Sequence, residues 1–330
     1  MKILIHYFDS KIPILNLISE KHRFNENPTV GILKPFLVSD ISKADVILIA
    51  HDAIDIGKNS EYLRKISKLS ETLPVLIFDC GDIPFNIKIK NVYSLRTNFP
   101  PNIKTERAIP IPYNVKSRQH IGFRGYGKIP TISFVGFTPR ILSRRLIPSS
   151  VIQLKHPIIN NGSIVRKIGL RKLSSMDRSI VIARSHYGGA KSLIENLHKF
   201  EKDYENSIKD ADFIFAPRGD ANQSARYFEA LSAGRIPVVP NTSIIFPSIP
   251  KDFNDEVKIL VSPLSIDLRE SVERFWQSVD KDSWHEIQQH NRKIFKDVLE
   301  YGKFLTRIFE LEVSELDKIQ FRNEFASGNP

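Results

Sequence analysis

Residues 210–241 read DADFIFAPRGDANQSARYFEALSAGRIPVVPN, and this stretch decides how the rest of the chain is read. DFIFAP (212–217) and RIPVVP (235–240) are short apolar runs bounded by turn residues, the pattern of buried strands. Between them the spacing predicts a helix from Asn222 to Ala233, stopped by Gly234 at its C-terminal end. At about 100° per residue, Ser224, Tyr227, Phe228 and Leu231 share a stripe that belongs in the core, while Asn222, Arg226, Glu229 and Ala233 share another. An Arg–Glu pair on a helix surface contributes only a few tenths of a kcal/mol. Arg226 and Glu229 are therefore expected to face each other, solvent or a ligand. Upstream, Arg218-Gly219-Asp220 leads from strand to helix, with a glycine that admits close backbone approach and a helix N-terminus that favours anions. Phosphate oxygens suit that N-terminus, Ser224 and a forked guanidinium, whereas a ribose diol suits a carboxylate. Glu229, read as two turns into the helix, falls roughly 10 Å from its start, about the span from a diphosphate to its ribose.

The same strand and helix alternation extends both ways. KILIHYF (2–8), ADVILIAH (44–51) and PVLIFDC (74–80) read as parallel strands of a first lobe, with a helix over 60–72. TISFVGF (131–137), IVIAR (180–184) and VKILVS (257–262) join the two strands above in a second, with helices near 190–209 and 265–280. FPPN (99–102), IPIPY (109–113) and GFRGYGKIP (122–130) read as the linker between lobes. The expected division is 1–125, 126–281 and a helical 282–330 that crosses back onto the first lobe, with Trp276 and Trp284 as packing anchors. Ligands of parallel sheets bind beyond the carboxyl ends of the strands. Asp9, His51, Asp52, Asp79 and Asp82 all stand at such ends in the first lobe, although aspartate is also common there as a helix cap.

The chain has 330 residues, 41% hydrophobic and 26% charged, with a formal net charge of +11. Between Thr138 and Lys191 eleven Lys/Arg face one acid, Asp177, so almost all the imbalance is local and marks an anion-attracting region. One cysteine, Cys80, excludes an internal disulfide framework. No run approaches the roughly 20 apolar residues of a membrane span, and MKILIHYF lacks the features of a signal peptide, so a cytoplasmic location is expected. No helix-turn-helix, zinc module or aromatic RNA-binding signature supports nucleic-acid binding.

The segment FIFAPRGDANQSARYFEALSAGRIPVV followed by NTSIIFPS resembles the donor-binding segment of exostosin-like glycosyltransferases, and TISFVGF with Arg144 or Arg145 downstream is similar to the opening of the same domain. The resemblance covers roughly 131–262 and implies a GT-B architecture, two Rossmann-like parallel α/β domains facing across a cleft. It implies a UDP-sugar donor held by Arg218, Gly219, Asp220, Ser224 and Arg226, with Glu229 on the ribose and Arg144 or Arg145 adding charge. Retaining enzymes of this architecture place a second Glu eight positions earlier, where this chain has Ala221, so inversion is implied. Inversion needs a general base, for which Asp52 and Asp82 lead, with Asp9, His51, Asp79 and Arg96 as acceptor-side residues. No metal or other cofactor is expected, since guanidinium groups can neutralise the leaving diphosphate and no Asp-x-Asp is placed to hold a metal in the second lobe. The acceptor is expected to be a glycan or phosphorylated glycolipid in surface polysaccharide or glycoconjugate synthesis, reached at the cytoplasmic membrane face through the basic surface. The alternative is a non-catalytic exostosin-like subunit that binds sugar nucleotide or glycan.

Overall fold

The computed structural model describes residues 1–6, 28–49, 56, 58–79, 87–99, 107–138, 162–174, 176–184, 197–219, 221–242, 244–247, 259–262 and 268–316. The chain forms two compact units. Unit 1 comprises Met1–Asn114, Ile244–Ile249 and Leu299–Pro330; unit 2 comprises Val115–Ser243 and Pro250–Val298.

Unit 1 is built on β1 (Ile3–His6), β2 (Leu37–Val38), β3 (Val46–Ile49), β4 (Val75–Asp79), β5 (Val92–Arg96) and β6 (Ala108–Pro110), in the order β2-β1-β3-β4-β5-β6. Every pairing is parallel. Successive side chains of a strand point to opposite faces. Val46 and Leu48 accordingly join one core, with Leu76, Phe78, Tyr93 and Leu95, while Ile47 and Ile49 join another, with Val75, Ile77 and Ile66. The first core is closed by α1 (Pro28–Leu33) and by Tyr301, Phe304, Leu305, Ile308 and Phe309 of a late helix, Tyr301–Glu310. The Met1 ammonium donates to Phe309 O at 2.6 Å, placing a cation on the negative end of that helix. The second core is covered by α2 (Ser60–Thr72), whose N-cap Asn59 accepts from the backbone N–H of Glu61 and of Tyr62.

Unit 2 contains β7 (Ile132–Phe137), α3 (Gly162–Leu173), β8 (Ser179–Arg184), α4 (Leu197–Lys209), β9 (Phe213–Phe215), α5 (Ala225–Ser232), β10 (Ile236–Pro240), β11 (Leu260–Ser262), α6 (Leu268–Gln277) and α7 (Lys281–Ile294). Its sheet runs β11-β10-β9-β7-β8, again all parallel. On one face Phe134, Phe213, Phe215 and Val238 pack with Leu173, Val272, Trp276 and Trp284. The two tryptophans meet edge to face at 4.9 Å, as packing anchors. On the other face Ile214 packs with Ile208, Ala230 and Ala233 beneath α4 and α5. After α7 a π-helical turn (Phe295–Leu299) leads to α8 (Tyr301–Glu310) and α9 (Val313–Leu316).

Four features differ from the pattern-based reading. The helix expected from Asn222 starts at Ala225, because Ser224 is extended (φ −117, ψ 132) and Asn222 is held away by its side-chain bond to Thr242 O at 3.0 Å. IPIPY begins not as linker but inside β6, with Pro110 as the last residue of that strand, and Val92–Arg96 adds a strand whose mixed YSLR composition hides it. Gly162–Leu173 forms a helix within the basic stretch.

Arg235 is fully buried just before β10 and forms no ion pair with a carboxylate among the described residues. It donates to Ile208 O (3.1 Å), Ala233 O (3.2 Å), Gly122 O (2.9 Å) and Gln288 Oε1 (3.0 Å), so it closes the C-terminal ends of both α4 and α5. Burial, reinforced by the nearby Arg124 charge, pulls its pKa down to about 10. Removing the guanidinium strands several buried carbonyls, so Arg235→Ala is expected to lower unfolding free energy by about 2–4 kcal/mol. Urea unfolding monitored by tryptophan fluorescence checks this through a fall in the midpoint at unchanged slope.

Candidate functional site

The strand order of unit 2 reverses between β7 and β9: β8 lies to one side of β7, and the later strands β9, β10 and β11 to the other. At such a switch point the connections leave in opposite directions, and a crevice opens beyond the carboxyl ends of the two strands. Gly136-Phe137 ends β7, and Ala216-Pro217-Arg218-Gly219 follows β9 into the start of α5. The sequence thus delivers its Arg-Gly loop and its helix N-terminus to one crevice.

The loop is packed tightly against α3. A Cβ built on Gly162 would lie 1.8 Å from Gly219 O, so only glycine lets α3 begin there. From α3, Arg166 donates Nη1 to Phe137 O at 2.6 Å and Nη2 to Arg218 O at 3.4 Å, tying the two strand ends together with a buried cation. Arg218 is itself buried. Arg226 reaches the same strand end from the first turn of α5: its Nε donates to Val135 O at 2.8 Å and its guanidinium lies 5.2 Å from the Phe134 ring centre. A Cβ on Gly136 would fall 2.2 Å from Arg226 Nη2, so the glycine is the seat of this guanidinium. A fourth guanidinium, Arg184 at the end of β8, stacks at 4.5 Å on Phe200 and donates to Phe200 O at 2.7 Å. Burial lowers its pKa, with the Asp203 charge opposing and the Arg226 charge adding to the shift.

The N-terminus of α5 is prepared for a partner. Ser224 occupies the N-cap position, yet its hydroxyl makes no capping bond to the first turn. Next to it Gln223 is 4% exposed, and among the described residues neither its amide oxygen nor its amide nitrogen has a hydrogen-bond partner. Leaving such a group unpaired costs about 1–3 kcal/mol, and buried orphans of this kind mark sites where a partner is missing. Guanidinium groups, a helix start and a buried carboxamide are the kinds of group that can bind a multiply charged oxyanion.

Glu229 and Arg226 do not meet. No ion pair joins them among the described residues; Arg226 donates to Val135 O and Glu229 accepts from Tyr204. Tyr204 of α4 donates its hydroxyl to Glu229 Oε2 at 2.5 Å, and Arg118 Nη2 stands 3.8 Å from Glu229 Oε1. Because α5 starts at Ala225, Glu229 lies about 6 Å along the axis from its first residue rather than 10 Å.

Of the residues singled out in the sequence, Arg218, Gly219, Ser224 and Arg226 share the crevice rim, and Glu229 stands one turn further along α5. Arg144, Arg145, Asp220, Asp9, His51, Asp52 and Asp82 lie outside the described residues. In unit 1, Asp79 and Arg96 are register partners at the ends of β4 and β5, each 2% exposed. Arg96 Nε lies 3.0 Å from Asp79 Oδ2, an ion pair without the alignment of a hydrogen bond, and burial lowers the Arg96 pKa against the opposing pull of Asp79. Of the two Asp-x-Asp runs of unit 2, Asp210-Ala211-Asp212 stands at the opposite end of β9, where Asp212 accepts from Thr131 N (2.8 Å) and Arg124 Nε (2.8 Å), and Asp280-Lys281-Asp282 begins α7, with Asp280 accepting from Ser283 N (2.8 Å). No cluster of His, Cys, Asp or Glu suited to a metal occurs among the described residues. Arg166 and Arg184 were visible in the sequence only as members of the basic stretch. Arg184 could have been singled out, since it ends the run IVIAR as Arg218 follows DFIFAP.

No protein-family profile matches the sequence, and no curated protein is similar to it. Among solved structures the chain is similar to a glycosyltransferase from Rickettsia africae ESF-5, with 10% identity, 97% of this chain and 99% of that chain covered, and a TM-score of 0.40. It is similar also to the catalytic domain of starch synthase IV from Arabidopsis thaliana bound to ADP and acarbose (10% identity, 88% and 76% covered, TM-score 0.41). A third is the lipopolysaccharide outer core galactosyltransferase WaaB in its apo form (16% identity, 81% and 76% covered, TM-score 0.41). Likeness of this degree is loose, and the site is understood from its own geometry.

Gly136→Ala places a methyl where the Arg226 guanidinium lies. That side chain is long enough to move aside, so folding should be nearly unaffected while inorganic pyrophosphate binding weakens about tenfold, the worth of a charge-assisted contact. Isothermal titration of the variant against the parent protein measures it.

Proposed function

We propose that the chain is a glycosyltransferase of GT-B architecture whose nucleoside-diphosphate donor binds in the crevice of unit 2. The observation that carries this reading is the buried amide of Gln223, without a partner among the described residues, beside the uncapped start of α5. In this reading the diphosphate takes the α5 N–H groups, the Ser224 hydroxyl and the Gln223 amide, and the guanidiniums offset charge that grows on the leaving diphosphate as the glycosidic bond breaks. Glu229, one turn along, accepts from the ribose.

The reaction proposed is direct displacement at the anomeric carbon of a UDP-sugar, with inversion. A base from unit 1, Asp52 or Asp82, takes the proton of the acceptor hydroxyl as its oxygen attacks, and UDP departs. Charge neutralisation by arginine makes a divalent metal dispensable in this scheme. The acceptor is a glycan or phosphorylated glycolipid, consistent with the positive surplus of the 138–191 stretch, and the protein works at the cytoplasmic face of a membrane. No described helix is long and apolar enough to cross a membrane, which fits peripheral contact.

Two measurements test the reading. UDP-sugars incubated with the protein in EDTA should release UDP slowly, and inertness towards every donor with and without acceptors contradicts an enzyme. Replacing Glu229 by Ala should weaken UDP binding at least tenfold while leaving pyrophosphate binding within about twofold; equal UDP affinity refutes the ribose assignment.

A further inference from the structure

Around Glu229 the chain builds more than a carboxylate on a helix. Tyr204 donates to Glu229 Oε2 at 2.5 Å, a charge-assisted bond at the short end of the usual range. The Arg118 guanidinium lies over the Tyr204 ring, 5.4 Å from its centre, and 3.8 Å from Glu229 Oε1. Arg118 N donates to Ser232 Oγ at 2.9 Å, and Ser232 Oγ donates to the backbone oxygen of Glu229 at 2.8 Å. Tyr204, Glu229, Ser232 and Arg118 thus close a ring of contacts that fixes both the side chain and the main chain of Glu229. The Glu229 side chain keeps 11% exposure against 4% for that of Arg118, so the carboxylate is clamped but not sealed.

A free glutamate spends up to about 2 kcal/mol of rotamer entropy when it is ordered by a ligand. Here Tyr204 orders it in advance through a hydrogen bond to Oε2, with the Arg118 guanidinium as an ion-pair partner 3.8 Å from Oε1. Burial first, and the Glu229 carboxylate second, raise the Tyr204 pKa well above the ordinary phenol range, so this hydroxyl stays a donor at every working pH.

We propose that Tyr204 is a positioning residue that holds the Glu229 carboxylate in the orientation that selects a ribonucleotide over its 2′-deoxy counterpart. The inference rests on the donor site described above. It assigns sugar selectivity to a residue on α4, outside the strand–loop–helix segment that carries the rest of the site.

The test compares Tyr204→Phe with the parent protein by isothermal titration against UDP, 2′-deoxy-UDP and inorganic pyrophosphate. The parent should prefer UDP over 2′-deoxy-UDP about tenfold, the value of one hydrogen bond to a charged group. In Tyr204→Phe that preference should fall to about two- to threefold while pyrophosphate affinity stays within about twofold, a split that simple loss of packing does not produce. An unchanged preference overturns the role of Tyr204 and leaves the donor site standing. Failure of the parent protein to bind either UDP or pyrophosphate overturns the donor site and this role together. Should Tyr204→Phe not fold, 3-fluorotyrosine introduced at position 204 keeps the hydroxyl. Its fluorine resonance should shift on addition of UDP and not of pyrophosphate, and a resonance indifferent to UDP overturns the proposal.

Discussion

Arg226 reaches from the first turn of α5 to the carboxyl end of β7, and it can do so because position 136 carries no side chain. The guanidinium then occupies the space a methyl would take, bonds Val135 O and rests beside Phe134. That close approach ties the first turn of α5 to the carboxyl end of β7. Arg166 makes the complementary tie on the β9 side, from Phe137 O to Arg218 O, against a loop that Gly162 allows α3 to approach. Two arginines and two glycines therefore frame the crevice.

The opposite end of the sheet does different work. Asp212, Arg124, Arg235 and Gln288 join the strand starts to the ends of α4, α5 and the 121–124 segment through buried hydrogen bonds. Stability is concentrated there, so the crevice rim can leave the Gln223 amide without a partner. Arg235, which donates to several oxygens, and Gln223, whose amide has no partner among the described residues, are opposite treatments of a buried polar group in one small unit.

Much of the fold was legible because its strands are short apolar runs in parallel pairing, where burial on both faces removes the need for polar alternation. ILIH, VILI, VLIFD and ISFVGF are all of this kind. What escaped were elements whose composition argues against burial: VYSLR, paired through Arg96 to Asp79, and GSIVRKIGLRKL, whose glycines serve close packing against Gly219 and Phe215 rather than a turn. The helix start was misplaced because Asn222 and Ser224 are both capping residues, and only the bond from Asn222 to Thr242 O decides between them. The same limit applies to the site. Arg218, Arg226 and Glu229 could be picked out from one segment, whereas Tyr204 and Arg118 come from distant parts of the chain that no local spacing connects to Glu229. The first-lobe acids could be named as strand-end residues but not ranked, since strand position says nothing about which carboxylate meets an acceptor.

The central claim is that a nucleoside diphosphate sits with its phosphates on the start of α5. A crystal structure of the protein soaked with UDP examines it most directly. The account predicts phosphate density within hydrogen-bond distance of the Ser224 hydroxyl, the Gln223 amide and the Arg218 or Arg226 guanidinium, with the ribose turned toward Glu229. Density for the nucleotide elsewhere on the chain, with the α5 crevice vacant, would contradict it.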